Sequence, residues 1–331
     1  MSKIYQIMKN FIKKLSNKNP PPFGRQNLFS HSVRNKTFSF WFIFIFSLIL
    51  ISYGGYLKNY LSSNHNLEKV KLGSTFFTLT PAPESIKATA YLVGDLISGH
   101  ILISRNKDLH LFPASLSKLM TGEIVLDKFP LNKQIYITPY IMSAEGEEGG
   151  FKIGETLKVE DLLKVLLISS SNDAAIAFAE ALDKTGADFV DLMNEKAQKL
   201  GLYNTAFFGA TGLDRKGNFT TVEDLFKLSQ DIYKNYPFLG EITRQPEDTV
   251  FSSDGQIMHH FKNTNILAGQ LPYLWLGKTG STPDAKDCLL TIFEIPVKDD
   301  KISIAIIVLN STDRFEDTIQ LYDWVREILR S

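Results

Sequence analysis

Three short polar motifs contain residue types that could carry out acyl transfer. They are Ser115-Leu116-Ser117-Lys118, Ser170-Ser171-Asn172 and Lys278-Thr279-Gly280. A serine is a weak nucleophile until a base removes its proton, and a lysine acts as that base only when burial or a neighbouring cation lowers its pKa. The spacing in the first motif places Ser115 and Lys118 one turn apart on the same face of a helix. Together, the residue types indicate a serine nucleophile served by a lysine base.

The three motifs are far apart along the chain. Ser170 follows Ser115 by 55 residues and Lys278 follows Ser170 by 108, so only tertiary folding can unite them. A second cation near the base would disfavour its protonation, and Gly280 would leave room for a substrate backbone. Each motif alone also fits a capped surface helix or a turn. Their order and their contexts, at a helix start, between two helices and on a strand, favour a shared site.

The surrounding elements are predicted from apolar periodicity and turn residues. Helices are predicted over 116–129, 159–168, 173–182, 189–200, 221–233 and 315–329, and strands over 88–94, 101–103, 289–293 and 302–309. The strands lie at the two ends of this region and the helices lie between them. This order predicts an α+β fold with an antiparallel sheet flanked by helices and an inserted, mostly helical lobe, with a cleft between the two.

Charge divides the 331-residue chain unevenly, although 36 basic and 36 acidic residues give no net charge. Residues 1–36 contain eight basic side chains and no acidic one, which leaves the rest of the chain at about −8. A neutral total argues against a general nucleic-acid-binding protein. The single cysteine, Cys288, permits no internal disulfide or cysteine-rich zinc site, and no metal-binding histidine spacing occurs. His259-His260 is interpreted as a surface pair. We therefore expect no metal and no cofactor.

Residues 37–57 form an uncharged run of 21 residues. As a helix, this run matches the ~30 Å hydrocarbon thickness of a bilayer, which predicts a transmembrane signal anchor. Basic flanks stay inside, so residues 1–36 are predicted to be a cytoplasmic tail and the rest to lie outside the bacterial cell membrane. Residues 58–85 are interpreted as a stalk and residues 86–331 as the catalytic domain.

Longer strings around the motifs resemble a known family. They are Phe112–Thr121, Ser170–Ala175, Gly212–Asp214, Asn263–Asn265 and Gly277–Gly280. From about Ala88 to Leu329 the chain is similar to the low-molecular-mass penicillin-binding D-alanyl-D-alanine carboxypeptidases, serine peptidase family S11. The resemblance implies a β-lactamase/transpeptidase-like fold. It also implies peptidoglycan stem peptides ending in D-Ala-D-Ala as substrates and β-lactam antibiotics as inhibitors.

The resemblance also implies a role for each matching residue. Ser115 is expected to be the acylated nucleophile, Lys118 the general base and Ser170 a proton relay to the departing D-alanine. The residues expected to contact the substrate are Asn172, Lys278, Thr279, Gly280, Ser281 and Arg314. The backbone N–H groups of Ser115 and Ser281 would form the oxyanion hole. Arg314 would bind the terminal carboxylate, or else be a solvated arginine at a helix start.

Three alternative functions remain open at this point. A D,D-endopeptidase would use the same acyl-enzyme chemistry on peptidoglycan crosslinks. A class A β-lactamase needs a glutamate that activates the deacylating water, and none occurs between Glu195 and Glu223. A non-catalytic wall-binding protein is disfavoured because all three motifs are intact.

Overall fold

A five-stranded antiparallel sheet and a helical lobe make up most of the folded domain. The computed structural model describes residues 69–73, 75–146, 148–298 and 300–330. The strands are β1 (Lys69–Leu72), β2 (Thr75–Thr78), β3 (Ala90–Asp95), β4 (Ile101–Arg105), β5 (Gln134–Tyr136), β6 (Thr156–Lys158), β7 (Glu247–Phe251), β8 (Met258–Lys262), β9 (Leu274–Thr282), β10 (Lys286–Val297) and β11 (Asp300–Ser311). The α-helices are α1 (Ser117–Lys128), α2 (Val159–Ile168), α3 (Asn172–Asp183), α4 (Phe189–Lys199), α5 (Val222–Asn235), α6 (Pro237–Thr243) and α7 (Arg314–Arg330).

The main sheet joins strands from both ends of the domain. Its order is β4-β3-β11-β10-β9. Strand β3 pairs antiparallel with β11, with Val93 opposite Ile306, which confirms that strands distant in sequence share one sheet. Strand β9 lies at the edge of this sheet and carries the third motif. An edge strand has backbone groups that its own sheet does not pair.

Both faces of the sheet are covered, and β11 shows why its sequence is an almost unbroken apolar run. Successive side chains of a strand point to opposite faces. Ile304 and Ile306 belong to the apolar cluster that includes α7, whereas Ala305 and Ile307 belong to the larger cluster that includes the lobe helices. A strand buried on both faces needs no polar alternation.

Helices α1 to α6 lie between β4 and β9 in the chain, so the lobe is an insertion between strands of the sheet. The predicted helices and strands are confirmed with small shifts at their ends. Thr221 caps α5 by accepting a hydrogen bond from the backbone N–H of Asp224 at 3.1 Å, as the pattern of residues suggests. The hairpins β5–β6 and β7–β8 and helix α6 were not predicted, because three- to seven-residue elements leave little periodicity to detect.

The N-terminal boundary of the folded domain differs from the prediction. Strands β1 and β2 fall within the segment interpreted as a stalk, 58–85, and they pair as a hairpin. Val70, Leu72 and Phe77 of this hairpin are buried in the cluster that includes α7. Residues from Lys69 onward therefore belong to the folded domain, since burial of apolar side chains favours packing over an exposed linker.

The predicted membrane anchor, 37–57, and the predicted tail, 1–36, lie outside the described residues. Within the described ranges, no helix is both long enough and apolar enough to cross a bilayer.

Candidate active site

Ser115 and Lys118 meet where a 3-10 helix, Ala114–Leu116, runs into α1. Lys118 Nζ lies 2.9 Å from Ser115 Oγ. It also lies 2.7 Å from Asn172 Oδ1 and 2.8 Å from the carbonyl oxygen of Thr211. The lysine side chain is fully buried, so these uncharged oxygen atoms replace bulk water around its amine. The predicted nucleophile and the predicted base are thus within hydrogen-bond distance, as their spacing indicates.

The three residues of the second motif, Ser170-Ser171-Asn172, differ in their contacts and conformation. Ser171 caps α3, because its Oγ accepts a hydrogen bond from the backbone N–H of Ala174 at 2.9 Å. Asn172 begins α3 and places Oδ1 on Lys118, while its Nδ2 donates to the carbonyl oxygen of Glu145 at 2.5 Å. Ser170 has a φ of 64°, a left-handed conformation that is strained for a residue with a side chain. In this conformation Ser170 Oγ contacts Lys278 of the third motif.

Lys278 connects the second motif to the sheet. Its Nζ donates to Ser170 Oγ at 2.8 Å and to the carbonyl oxygen of Thr279 at 2.9 Å. Both Lys278 and Ser170 are buried, so little water competes for these bonds. The fold therefore brings the three sequence motifs into one cluster with two buried lysines.

Comparison with known proteins identifies the family. The family model described as D-alanyl-D-alanine carboxypeptidase, peptidase S11, matches residues 77–313. The chain belongs to the S11 family. A D-alanyl-D-alanine endopeptidase of Pseudomonas aeruginosa is 33% identical over 257 residues, which are 74% of this chain and 79% of that protein.

Solved structures agree with this assignment. The D-alanyl-D-alanine carboxypeptidase of Mycobacterium tuberculosis superimposes with a TM-score of 0.66 at 26% identity, covering 78% of this chain and 96% of that one. Penicillin-binding protein D2 of Listeria monocytogenes, in its ampicillin-bound form, gives a TM-score of 0.61 at 31% identity, covering 73% and 98% of the two chains. The S11 chain therefore has the penicillin-binding protein fold.

Gly280 allows the edge strand β9 of this S11 chain to approach Ser115, the predicted nucleophile. A Cβ atom at this position would lie 2.9 Å from the backbone nitrogen of Ser115 and 2.9 Å from Ala114 Cβ. Real Cβ atoms hardly ever come that close to neighbouring backbone. A side chain here would thus displace the Ser115 N–H, one of the two donors predicted for the oxyanion hole.

Gly212 supports the same turn from the opposite side, and the sequence reasoning assigned it no role. Its φ is 87°, and a Cβ there would lie 1.9 Å from the carbonyl oxygen of Ala114. Ala114 itself has a φ of 48° and is fully buried. The neighbouring Thr211 supplies a carbonyl oxygen to Lys118. The glycine in the string Gly212–Asp214 was the available signal, since a glycine often marks close backbone contact.

The remaining predicted substrate contacts surround the end of β9. Thr279 Oγ1 lies 2.5 Å from Thr264 Oγ1, and Ser281 is exposed. Arg314 Nη1 donates to the carbonyl oxygen of Gly280 at 2.9 Å and lies 3.1 Å from Asp287 Oδ1. Arg314 is thus no free surface arginine, because its guanidinium fixes the strand that carries Gly280.

Other groups considered from the sequence lie apart from this cluster. His259 is buried and its Nε2 lies 2.9 Å from Glu155 Oε2, so the interpretation of His259-His260 as a surface pair is wrong for His259. Among the described residues, no group of three or more His, Cys, Asp or Glu side chains could hold a metal ion. Burial raises the pKa of the Cys288 thiol to about 12, so it stays protonated and is a poor nucleophile.

Proposed function

We propose that this protein is a serine-type D-alanyl-D-alanine carboxypeptidase acting on peptidoglycan stem peptides. The observation that carries the proposal is the hydrogen-bonded cluster of Ser115, Lys118 and Asn172, beside Ser170 and Lys278, at an unpaired sheet edge. It unites a nucleophile, a buried amine and a place for an extended peptide. The family assignment and the ampicillin-bound relative support the same chemistry.

Acylation follows from the positions of these atoms. Ser115 Oγ attacks the carbonyl carbon of the penultimate D-alanine while its proton passes to Lys118 Nζ, 2.9 Å away. The backbone N–H groups of Ser115 and Ser281 stabilise the negative oxygen of the tetrahedral intermediate. The C–N bond then breaks, and Ser170 relays the proton to the amine of the departing D-alanine. Water later hydrolyses the ester and frees Ser115.

The edge strand β9 provides the surface on which the peptide lies. Extended peptides bind sheet edges through main-chain hydrogen bonds, and Lys278, Thr279 and Gly280 lie along this edge. Asn172 holds the peptide on the acyl side. Arg314 remains our predicted partner for the terminal carboxylate, and its bond to the Gly280 carbonyl gives it a second task in positioning the strand.

Covalent labelling tests the enzyme function against a non-catalytic wall-binding role. We expect a fluorescent penicillin to label the folded protein, and Ser115→Ala to abolish the label while retaining the unfolding transition. A folded wild-type protein that takes up no label would contradict the proposal.

The same label distinguishes inhibition from antibiotic resistance. No glutamate occurs between Glu195 and Glu223, where a class A β-lactamase places the residue that activates water. We therefore expect slow release of the penicilloyl group. Many rapid turnovers of penicillin would identify a β-lactamase instead.

A D,D-endopeptidase is the second candidate, and the Pseudomonas aeruginosa relative that carries this name favours it. Both reactions form the same acyl-enzyme and differ in what leaves. Mass spectrometry of muropeptides after incubation separates them. Loss of one alanine from pentapeptides supports the carboxypeptidase, whereas conversion of crosslinked dimers to monomers supports the endopeptidase.

We also propose that residues 37–57 anchor the protein in the bacterial cell membrane with the catalytic domain outside. The support is the uncharged run itself and the eight basic residues that precede it. Protease added to intact spheroplasts should then digest the catalytic domain but spare an epitope tag at the N-terminus. Protection of the catalytic domain would contradict this topology.

A further inference from the structure

The loop between β8 and β9 contains Asn263-Thr264-Asn265, a string that the proposed reaction does not use. Thr264 lies between two parts of the candidate site. Its backbone N–H donates to the carbonyl oxygen of Ile168 at 3.0 Å, two residues before Ser170. Its hydroxyl oxygen lies 2.5 Å from that of Thr279 in the third motif. Thr264 therefore connects the end of α2 to strand β9.

A second connection runs beside this one. Lys278 Nζ donates to Ser170 Oγ at 2.8 Å, so the residue before Thr279 is also bonded to the segment that follows α2. Strand β9 is thus joined to residues 168–170 twice, directly through Lys278 and indirectly through Thr264. The two connections together fix this turn relative to the edge strand on which the peptide is proposed to lie.

The loop around Thr264 is held in place by Asn263. Its Nδ2 donates to the carbonyl oxygens of Thr243 and Gln245, at 2.9 and 2.7 Å, which fastens the loop to the end of α6. Its Oδ1 accepts a hydrogen bond from the backbone N–H of Asn265 at 2.8 Å. These bonds restrict the movement of Thr264 away from β9.

The side chain of Asn265 packs directly on β9. A Cβ atom at Gly277 would lie 2.1 Å from Asn265 Nδ2, so the asparagine occupies the space that a side chain at 277 would take. Positions 277 and 279 lie on the same face of the strand, because the faces alternate from one residue to the next. Asn265 and Thr264 therefore cover neighbouring positions of one face, with the Thr264 hydroxyl on Thr279.

We propose that Thr264 is a positioning residue that orients the hydroxyl group of Thr279 for the substrate. A hydroxyl group has a single proton to donate. Thr264 donates its proton to Thr279 Oγ1, and the proton of Thr279 is left for an oxygen atom of the bound peptide. Thr264 thus acts only through Thr279. The inference rests on the proposed function, because Thr279 is a predicted substrate contact in that reaction.

Thr264→Val tests this role, since valine has nearly the same shape, retains the backbone N–H and lacks the hydroxyl. We expect kcat/KM for a peptide ending in D-Ala-D-Ala and the rate of penicillin acylation to fall about tenfold, the scale for loss of one hydrogen bond. Thr264→Ala should give the same result, and unfolding curves report whether each variant is folded. Thr264→Ser retains the hydroxyl and should stay within about threefold of the wild type.

Thr243→Val is the matched control. The Thr243 hydroxyl also contacts β9, because its oxygen lies 3.4 Å from the backbone nitrogen of Gly277, but it does not touch Thr279. This variant removes a threonine hydroxyl against the same strand and should retain the wild-type rate of penicillin acylation within about threefold.

A double variant shows whether Thr264 acts through Thr279. With Thr279→Val already present, Thr264→Val should lower the acylation rate by less than about twofold, because no hydroxyl is left to orient. Losses that multiply in the double variant would overturn the inference. Full activity of Thr264→Val, or an equal loss in Thr264→Ser, would do the same.

Failure of the proposed function would give a different result. The wild-type protein would then neither hydrolyse the peptide nor be acylated by penicillin, and the inference would fall with it. A D,D-endopeptidase would still be acylated by penicillin, so the acylation rates test Thr264 in that case as well.

Discussion

Two lysines at helix α1 differ in the groups that their amines contact. Lys118 belongs to α1 and is fully buried, whereas Lys196 of α4 is half-buried against it. Lys118, at its first turn, lies against Ser115 Oγ, Asn172 Oδ1 and the Thr211 carbonyl, which are all uncharged. Lys196 of α4 lies 3.1 Å from Glu123 Oε2 and 2.8 Å from Asp127 Oδ2 farther along α1. The hydrogen-bond partners named for Lys118 are neutral oxygen atoms, and the Asp173 carboxyl acts on this amine only through electrostatic attraction. Lys196 instead forms direct ion pairs with carboxyl groups.

The pKa of Lys196 shows the effect of neighbouring carboxyl groups on a lysine amine. Burial by itself lowers the pKa of this amine, but attraction by Glu123 and a hydrogen bond to Asp127 outweigh burial and raise it well above its ordinary range. Lys196 therefore stays protonated and its task is structural. A general base must be able to take up a proton, and a direct ion pair with a carboxylate opposes this by keeping the amine protonated. The comparison teaches that the groups in direct contact with a lysine, and not its burial alone, decide its function.

The largest expected effect on the rate of penicillin acylation comes from removing the Lys118 amine. Lys118→Met should lower the rate of penicillin acylation by about 10³-fold, the scale expected for loss of a general base. Lys196→Met is the matched control, because it removes a second lysine amine against the same helix and should change the acylation rate by less than about threefold. Stopped-flow acylation measures both. Comparable losses in the two variants would break the distinction between them.

A smaller effect should follow from filling the gap at Gly280. Gly280→Ala places a methyl group 2.9 Å from the Ser115 nitrogen and should displace this N–H from the oxyanion, with a loss of about 10²-fold in acylation rate. Gly280→Val should lose more, because its side chain is larger. Unfolding curves report whether the fold is retained. A fully active Gly280→Ala variant would show that the Ser115 N–H is not required.

The smallest expected effect is a pH dependence of the free energy of unfolding that arises from Glu123, beside Lys196. Burial raises the pKa of Glu123 to about 8, against the attraction of Lys196. The folded protein therefore binds this proton more strongly than the unfolded chain does, and its stability falls as pH rises from about 4.5 to 8. In urea unfolding, the free energy of unfolding should be lower at pH 8.5 than at pH 5.5, by on the order of 2 kcal/mol for this group.

Glu123→Gln should remove this share of the pH dependence, since the amide does not titrate. The difference between the wild type and the variant isolates Glu123 from all other groups. If both proteins lose the same stability between pH 5.5 and 8.5, the carboxyl group of Glu123 is not the source.

Much of the fold could be predicted from the chain because its elements are long and periodic. Helix α2 (Val159–Ile168) was predicted with the same bounds, and Ile302 to Leu309 lies within β11. The hairpin β1–β2 was missed, because its pattern is short and its burial depends on α7, far away in the chain. Propensity and periodicity report local preference, and contacts between distant segments can override it.

The groups of the candidate site also differ in whether the sequence could identify them. Side chains with chemistry of their own, such as Ser115, Lys118 and Lys278, could be identified by residue type and spacing. Two backbone carbonyl groups could not be identified, namely that of Thr211 on Lys118 and that of Glu145 on Asn172. The backbone N–H groups of the oxyanion hole were expected only from the family resemblance. Every residue has a carbonyl oxygen, so residue type gives no signal for its use.

The sequence by itself determined which side chains could do chemistry and the α+β class of the domain that carries them. Only the tertiary structure decided that Lys278 reaches Ser170 across 108 residues and that Gly280 lies against Ser115. It alone also distinguished Lys118 from Lys196 by the groups that their amines contact directly. The physical reason is that acidity, hydrogen bonding and close packing depend on atoms brought together by folding.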